Sequence, residues 1–322
     1  MKTLSICIPT LNRKDYLLQA LNSILNDSIN LERIEICVSN NCCDENYDEV
    51  QQLISDRPSV KYIRQPNRIS LDENMHECVK MAVGEYVFYL GDDDYFLIGG
   101  IELLIKLIDY ESPDLAILNA ETVNEFSVST GRLFSGAGLI IEDVKIAYNF
   151  YNTKAVYGAV LVKRKHLDES VFKKFYGTSH AYMCFWVSLV IQSQTNPAVP
   201  VKVITPEHPI VAVRQAQKTY SDYILDIHYQ HMPLWYSLFQ EYIMDSEIMK
   251  IAIKCEKDNL IKTQGVRFLC SLRLHGINIK NIQNYNSSKF SNTLRFKLTL
   301  IKLIPISTLK WIKNINAWLA VP

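Results

Sequence analysis

Three adjacent carboxylates, Asp92, Asp93 and Asp94, follow the apolar run Tyr86–Leu90 with only Gly91 between. At ~4 Å and an effective dielectric of ~20, each close like-charge pair costs about 4 kcal/mol. A hard divalent cation, Mn2+ or Mg2+, relieves that repulsion, prefers carboxylate oxygen and keeps sites for diphosphate oxygens. The metal expectation falls on Asp94 and Asp92, with His208, between Pro206 and Pro209, as a further metal or phosphate contact. The competing interpretation is a solvated acidic loop in which Asp94 caps a helix. Two more polar clusters follow apolar runs: Pro9-Thr10-Leu11-Asn12-Arg13 after Leu4–Ile8, and Ser39–Asp44 after Ile34–Val38. Either one alone reads equally as a turn. His180 suits a general base, because imidazole ordinarily titrates at ~6.5, or else packs at a helix start. Arg214 and Lys218 suit a diphosphate, Arg bidentately, or else lie on a solvated face.

These clusters need a scaffold that brings them together. In open α/β sheets, ligands bind outside the carboxyl ends of the strands. If the strands at 4–8, 34–38 and 86–90 are parallel, all three clusters share one edge. Helical spacing at 16–25, 47–54, 71–81 and 101–110 alternates with those strands and with others at 60–63 and 115–118, which predicts an α/β fold with a mostly parallel sheet covered on both faces. Gly84 is expected to stop the third helix. Further on, 131–138 reads as loop, 156–162, 201–204 and 210–213 as strands, 182–192 as helix, and everything from Tyr220 as helical. This gives a catalytic body at 1–218, with a nucleotide-binding half at 1–120 and an acceptor half at 121–218, and a helical region at 219–322.

The chain has 322 residues, 48% hydrophobic and 21% charged, ordinary for a globular protein with a sizeable core. The apolar start is too short and broken for a secretory signal, and no run is long enough to expect a transmembrane helix. The eight cysteines form no C-x-x-C pair, so a structural zinc site is not expected and Cys7, Cys37, Cys184 and Cys270 read as core residues. The neutral net charge hides an asymmetry. From Asn259 to Pro322 there are ten Lys or Arg and no acid; removing those ten from 34 leaves 24 bases against 34 acids, a net of −10, in the first 258 residues. Apolar residues including Phe290, Phe296, Trp311 and Trp318 alternate with these bases. That mixture predicts contact with an anionic membrane surface rather than nucleic acid, for which no motif is present; an ordinary packed helix is the alternative.

The segments S-I-C-I-P-T-L-N-R at 5–13, I-E-I-C-V-S-N-N at 34–41, Asn67 to Asn74, A-V-G-E-Y at 82–86 and Y-L-G-D-D-D-Y at 89–95 together resemble the nucleotide-binding half of family 2 glycosyltransferases of GT-A fold. The resemblance implies that Pro9, Thr10 and Arg13 border the nucleoside, that Asp92–Asp94 match the D-x-D region with Asp93 near the ribose and Asp94 the leading metal ligand, and that Asp72 lies near the nucleotide. Asn40 stands where the family usually has the Asp that binds the base; an amide both donates and accepts, so it suits a CDP or a UDP donor. The family's acidic base pair is absent. In its place Tyr176-Gly177-Thr178-Ser179-His180 is similar to a segment of O-antigen abequosyltransferases, which implies a 3,6-dideoxyhexose donor and leans toward retention with the acceptor proton passing to the departing phosphate; the alternative is inversion with His180 as base, and Thr178, Ser179 and Tyr182 are the expected acceptor contacts. The expected partners are a nucleotide sugar and a polyprenyl-diphosphate-linked oligosaccharide, at the cytoplasmic face of the cell membrane. The missing acid also permits a non-catalytic nucleotide-sugar-binding subunit.

Overall fold

The computed structural model describes residues 2–26, 31–134, 138–152, 156–214, 224–274, 277–285 and 292–310. The first half alternates as its periodicity predicts: β1 (Leu4–Thr10), α1 (Lys14–Leu25), β2 (Ile34–Asn40), α2 (Asp48–Ile54), β3 (Val60–Arg64), α3 (Leu71–Met81), β4 (Tyr86–Tyr89), β5 (Tyr95–Phe96), α4 (Gly100–Glu111) and β6 (Leu115–Ile117). The start of α3 is fixed by a capping box, in which the Ser70 hydroxyl accepts the Glu73 N–H and the Glu73 carboxylate accepts the Ser70 N–H. Gly84 is not the stop, since the helix ends at Met81 and Ala82 is already extended. A Cβ on Gly84 would stand 2.7 Å from Ser5 Oγ, so glycine lets the chain pass tightly against β1.

After β6 come β7 (Ala120–Val123), β8 (Ser129–Arg132), β9 (Leu139–Ile141), α5 (Val144–Tyr151), β10 (Val160–Lys163), α6 (Glu169–Lys174), α7 (Phe185–Thr195), β11 (Val203–Thr205) and β12 (Val211–Arg214). The main sheet has the order β3-β2-β1-β4-β10-β6-β11-β9. β1 to β4 are parallel throughout, as expected. β10 runs antiparallel to both of its neighbours, and β9 is antiparallel to β11. A second sheet, β5-β12-β7-β8, was not foreseen and turns part of the expected loop after 130 into strand. The expected strand at 156–162 is a turn until Val160.

Every residue of β1 and β2 is buried, and alternate residues face different layers. Leu4, Ile6 and Ile8 join a core with α1 and α4, while Cys7 and Cys37 join one with α3, α5 and α7. Helices therefore cover both faces of the sheet. The later helices are α8 (Met232–Gln240), α9 (Ser246–Thr263), α10 (Val266–Leu274) and α11 (Asn292–Leu303). α8 and the first half of α9 send Trp235, Tyr236, Phe239, Ile248 and Cys255 into the body's core. A separate cluster of Leu269, Leu272, Leu294, Leu298 and Ile301 holds α10 and α11 together. The expected boundary at Lys218 lies outside the described residues.

Candidate active site

The parallel register pairs Thr10 with Asn40 and Cys7 with Tyr89, so the loops after β1, β2 and β4 leave one edge of the sheet together. Arg13 Nη1 donates to Asp92 Oδ1 and to Asp93 Oδ2, each at 3.0 Å. Asp92 is buried, and burial pushes its carboxyl up to about 6; Arg13 opposes the rise and Asp93 adds to it. The Asp94 carboxyl is also pushed well up from the usual carboxylate range, by burial first and then by Asp93. Its Oδ1 accepts the Arg214 N–H at 2.8 Å. Cβ atoms on Gly91 or Gly158 would collide with its Oδ2, and Gly158 also has φ +91°, so both glycines make room for this carboxylate.

Arg13 bonds two of these carboxylates and Arg214 meets the third through its backbone N–H, so three carboxylates face two guanidinium groups, and their hard oxygen donors fit Mg2+ or Mn2+. Among the described residues no three His, Cys, Asp or Glu side chains converge as a preformed metal cluster. Asp92 and Asp93 turn toward Arg13, which leaves Asp94 as the protein ligand such a cation would meet, with diphosphate oxygens filling the remainder. His208 is not part of this site. It is exposed and precedes β12, whereas Arg214 at that strand's other end is the residue that meets Asp94.

Two expected nucleotide contacts are committed inside the protein. The five N–H donors of Arg214 go to the Asp93, Asn124 and Glu125 carbonyls, Gln19 Oε1 and Ser127 Oγ, at 2.8–3.1 Å. Its guanidinium also stacks 4.7 Å from the Tyr16 ring centre. Arg214 is a clamp beneath the acidic loop, and no donor is spare for a diphosphate. Asn40 is buried; its Oδ1 accepts the Cys43 N–H at 2.9 Å and its Nδ2 donates to Tyr62 at 2.7 Å. Pro9 and Thr10 are buried at the end of β1, with Thr10 Oγ1 3.2 Å from the Tyr47 hydroxyl. Lys218 lies outside the described residues.

The loop at 177–181 is brought to the same edge by Asp72. Its Oδ2 accepts the Ser179 N–H at 2.9 Å and its Oδ1 the Ala181 N–H at 3.0 Å. Asp72 is 1% exposed and its carboxyl is pushed up to about 6, because burial outweighs the bonds it accepts. It anchors this loop from inside the protein. Thr178 is also internal: its hydroxyl donates to the Phe175 carbonyl at 2.7 Å and accepts the His180 N–H at 3.1 Å. Tyr182 is buried in ring contact with Tyr89, Tyr157 and His180. Neither is an exposed acceptor contact.

His180 and Ser179 keep accessible surface. His180 Nδ1 is 2.9 Å from the Thr178 carbonyl, an acceptor only, so Nδ1 carries the proton and Nε2 the lone pair. Burial lowers the imidazole's pKa, which keeps it neutral and able to accept a proton. Ser179 Oγ is 2.9 Å from His231 Nδ1, on the π-helical turn Ile227–His231 that leads into α8. Sequence reasoning missed His231, because nothing local marks a residue that reaches 52 positions back. Asn12, Cys42 and Ser179 all have positive φ, at 53°, 52° and 56°, placing backbone strain at this edge. An Asp114–His166–Ser188 array is a look-alike at the opposite edge, where it ties the start of β6 to Lys202.

The sequence matches the family described as Glycosyl transferase family 2 over residues 5–162. It is 34% identical over 112 residues to Abequosyltransferase RfbV of Salmonella typhimurium, covering 34% of this chain and 33% of that protein. It is 28% identical over 197 residues to the GalNAc(5)-diNAcBac-PP-undecaprenol beta-1,3-glucosyltransferase of Campylobacter jejuni, covering 59% and 60% respectively. The matches thus span a third and three fifths of those relatives. Among solved structures, S. aureus TarS 1-349 in complex with UDP superposes with TM-score 0.53 at 13% identity, covering 92% of this chain and 87% of that one. That likeness shows a shared GT-A fold.

Proposed function

We propose that this chain, which carries a glycosyl transferase family 2 domain at residues 5–162, moves a sugar from a CDP or UDP donor to a polyprenyl-diphosphate-linked oligosaccharide during surface-polysaccharide assembly. The observation that carries the proposal is the buried Asp94, with Asp92 and Asp93 held by Arg13, at the edge where three parallel strands end. The relative named an abequosyltransferase supports a 3,6-dideoxyhexose such as abequose as the sugar. The relative named for a PP-undecaprenol substrate supports a lipid-linked acceptor, and with it a peripheral position at the cytoplasmic membrane face.

In the transfer, the acceptor hydroxyl oxygen bonds to the anomeric carbon while the bond from that carbon to the phosphate oxygen breaks, releasing a nucleoside diphosphate. Bound Mn2+ or Mg2+ would neutralise charge developing on that leaving group. Asp94 would hold the cation, with Asp92 beside it. Arg13 keeps the two neighbouring carboxylates in place. His180 Nε2 takes the acceptor proton, with Ser179 and His231 beside it. Thermal stabilisation tests the donor site. With Mn2+ or Mg2+, a CDP- or UDP-sugar at 100 times its Kd should stabilise the fold by about 2.7 kcal/mol, visible as a rise of several degrees in Tm. No rise with any such donor in either metal would overturn the proposal.

A further inference from the structure

We propose that α11 seats the protein on an anionic membrane through the stripe Phe296–Leu300–Leu303. The proposal deepens the membrane-face position given above but needs none of its chemistry. Two apolar stripes run along this one helix at helical spacing. Leu294, Leu298 and Ile301 are 1%, 1% and 2% exposed and fill the core shared with α10. Phe296, Leu300 and Leu303 are 64%, 46% and 76% exposed, and Ile306, just beyond the helix, is 46% exposed. A helix that has already buried one stripe should turn a polar face to water. This one turns out a second apolar face, and the exposed residues adjoin in a row instead of standing singly.

Charge selects the occupant. From Asn259 onward the chain has no acid. Lys302 and Lys310 accompany the stripe, and Lys297, one residue from Phe296, reaches the Gln264 carbonyl at 3.4 Å. A second copy docking by two-fold symmetry would set this basic face against itself. An anionic lipid surface instead accepts the apolar side chains between acyl chains and the lysines among headgroups. The acidic first 258 residues, with net charge −10, are repelled by the same surface, which turns this face toward it. α11 is 12 residues long, and among the described residues no helix is long and apolar enough to cross a membrane, so the contact lies along the surface.

Sedimentation with vesicles tests this on the full chain, and it reads surface binding whether or not sugar is transferred. The chain should sediment with phosphatidylglycerol-containing vesicles, weakly with pure phosphatidylcholine, and less as salt rises. Combining Phe296→Ser with Leu303→Ser should lower partitioning at least tenfold, with no loss in Tm and no change in nucleotide release measured without vesicles. Failure of the native chain to bind the anionic vesicles overturns the proposal, as does a variant that partitions like the native chain. A variant with lowered Tm and unchanged partitioning also overturns it, because the stripe would then be covered by the chain's own residues.

Discussion

Asp72 and His180 are polar residues whose burial sets their chemistry. Asp72 is ordinary at about 4 in an unfolded chain and is raised to about 6 here. The folded state therefore holds this proton more tightly, so its contribution to stability is complete below the unfolded value and is lost as pH rises through about 6. Relative to Asp72→Asn, which does not titrate, the native chain should lose up to about 3 kcal/mol of stability between pH 4 and pH 7. Urea unfolding of both proteins at the two pH values checks this; a difference independent of pH contradicts it. The amide also puts an N–H against one of the two backbone donors in the 177–181 loop, so donor-dependent turnover should fall as well. For His180, the lowered pKa places the acid limb of the kcat/KM profile below the usual histidine value, with a plateau above it. His180→Ala should cost ~10²-fold or more in kcat with little change in donor affinity. His231→Ala should cost less, because His231 acts through Ser179, and its loss should be partly rescued by His231→Gln. Equal losses in both alanine variants would place His231 at the reacting atoms instead.

At the scale of elements, α3 was legible from its helical spacing, and its residue range matches the expected one. The strands β1, β2 and β4 were legible because wholly buried strands are continuous apolar runs. The second sheet was not. β8 is Ser129–Arg132, four exposed polar or small residues with no hydrophobic alternation, and β5 has only two residues. Their pairing is decided by tertiary neighbours. The same blindness hid the roles of Arg214, whose partners span α1 and the 124–127 turn, and of Gly158, read as part of a strand. Gly158→Ala tests that turn. The added Cβ meets the Asp94 carboxylate at a backbone conformation that L residues rarely adopt. Turnover should fall at least as far as in an Asp94 variant, and Tm should drop by several degrees, since such strain costs about 1–3 kcal/mol. An alanine variant with native turnover and Tm would show that Gly158 is not shaping the site.

Across the whole molecule, sequence and structure divide the work between edge and scaffold. The convergence of the loops after Thr10, Asn40 and Tyr89 followed from parallel strands and was predictable from hydrophobic patterning. Which side chains around this edge remain available was not, because Arg214 and Asp72 are drawn inside by partners 87–195 and 107–109 residues away, and Thr178 by partners two or three residues away. The helices after residue 224 do more than append a tail: α8 completes the body's core and the turn before it delivers His231 to Ser179. The central claim is that this edge breaks a sugar–diphosphate bond. The most direct measurement is release of nucleoside diphosphate from CDP- and UDP-sugars, with Mn2+ and a polyprenyl-linked oligosaccharide fraction, by the native chain and by Asp94→Asn. That substitution keeps an oxygen for the Arg214 N–H, so the fold should persist with an unchanged Tm. The account predicts release by the native chain and a fall of ~10²-fold or more in the variant. No release from any donor by the native chain, or a full rate in Asp94→Asn, would contradict it.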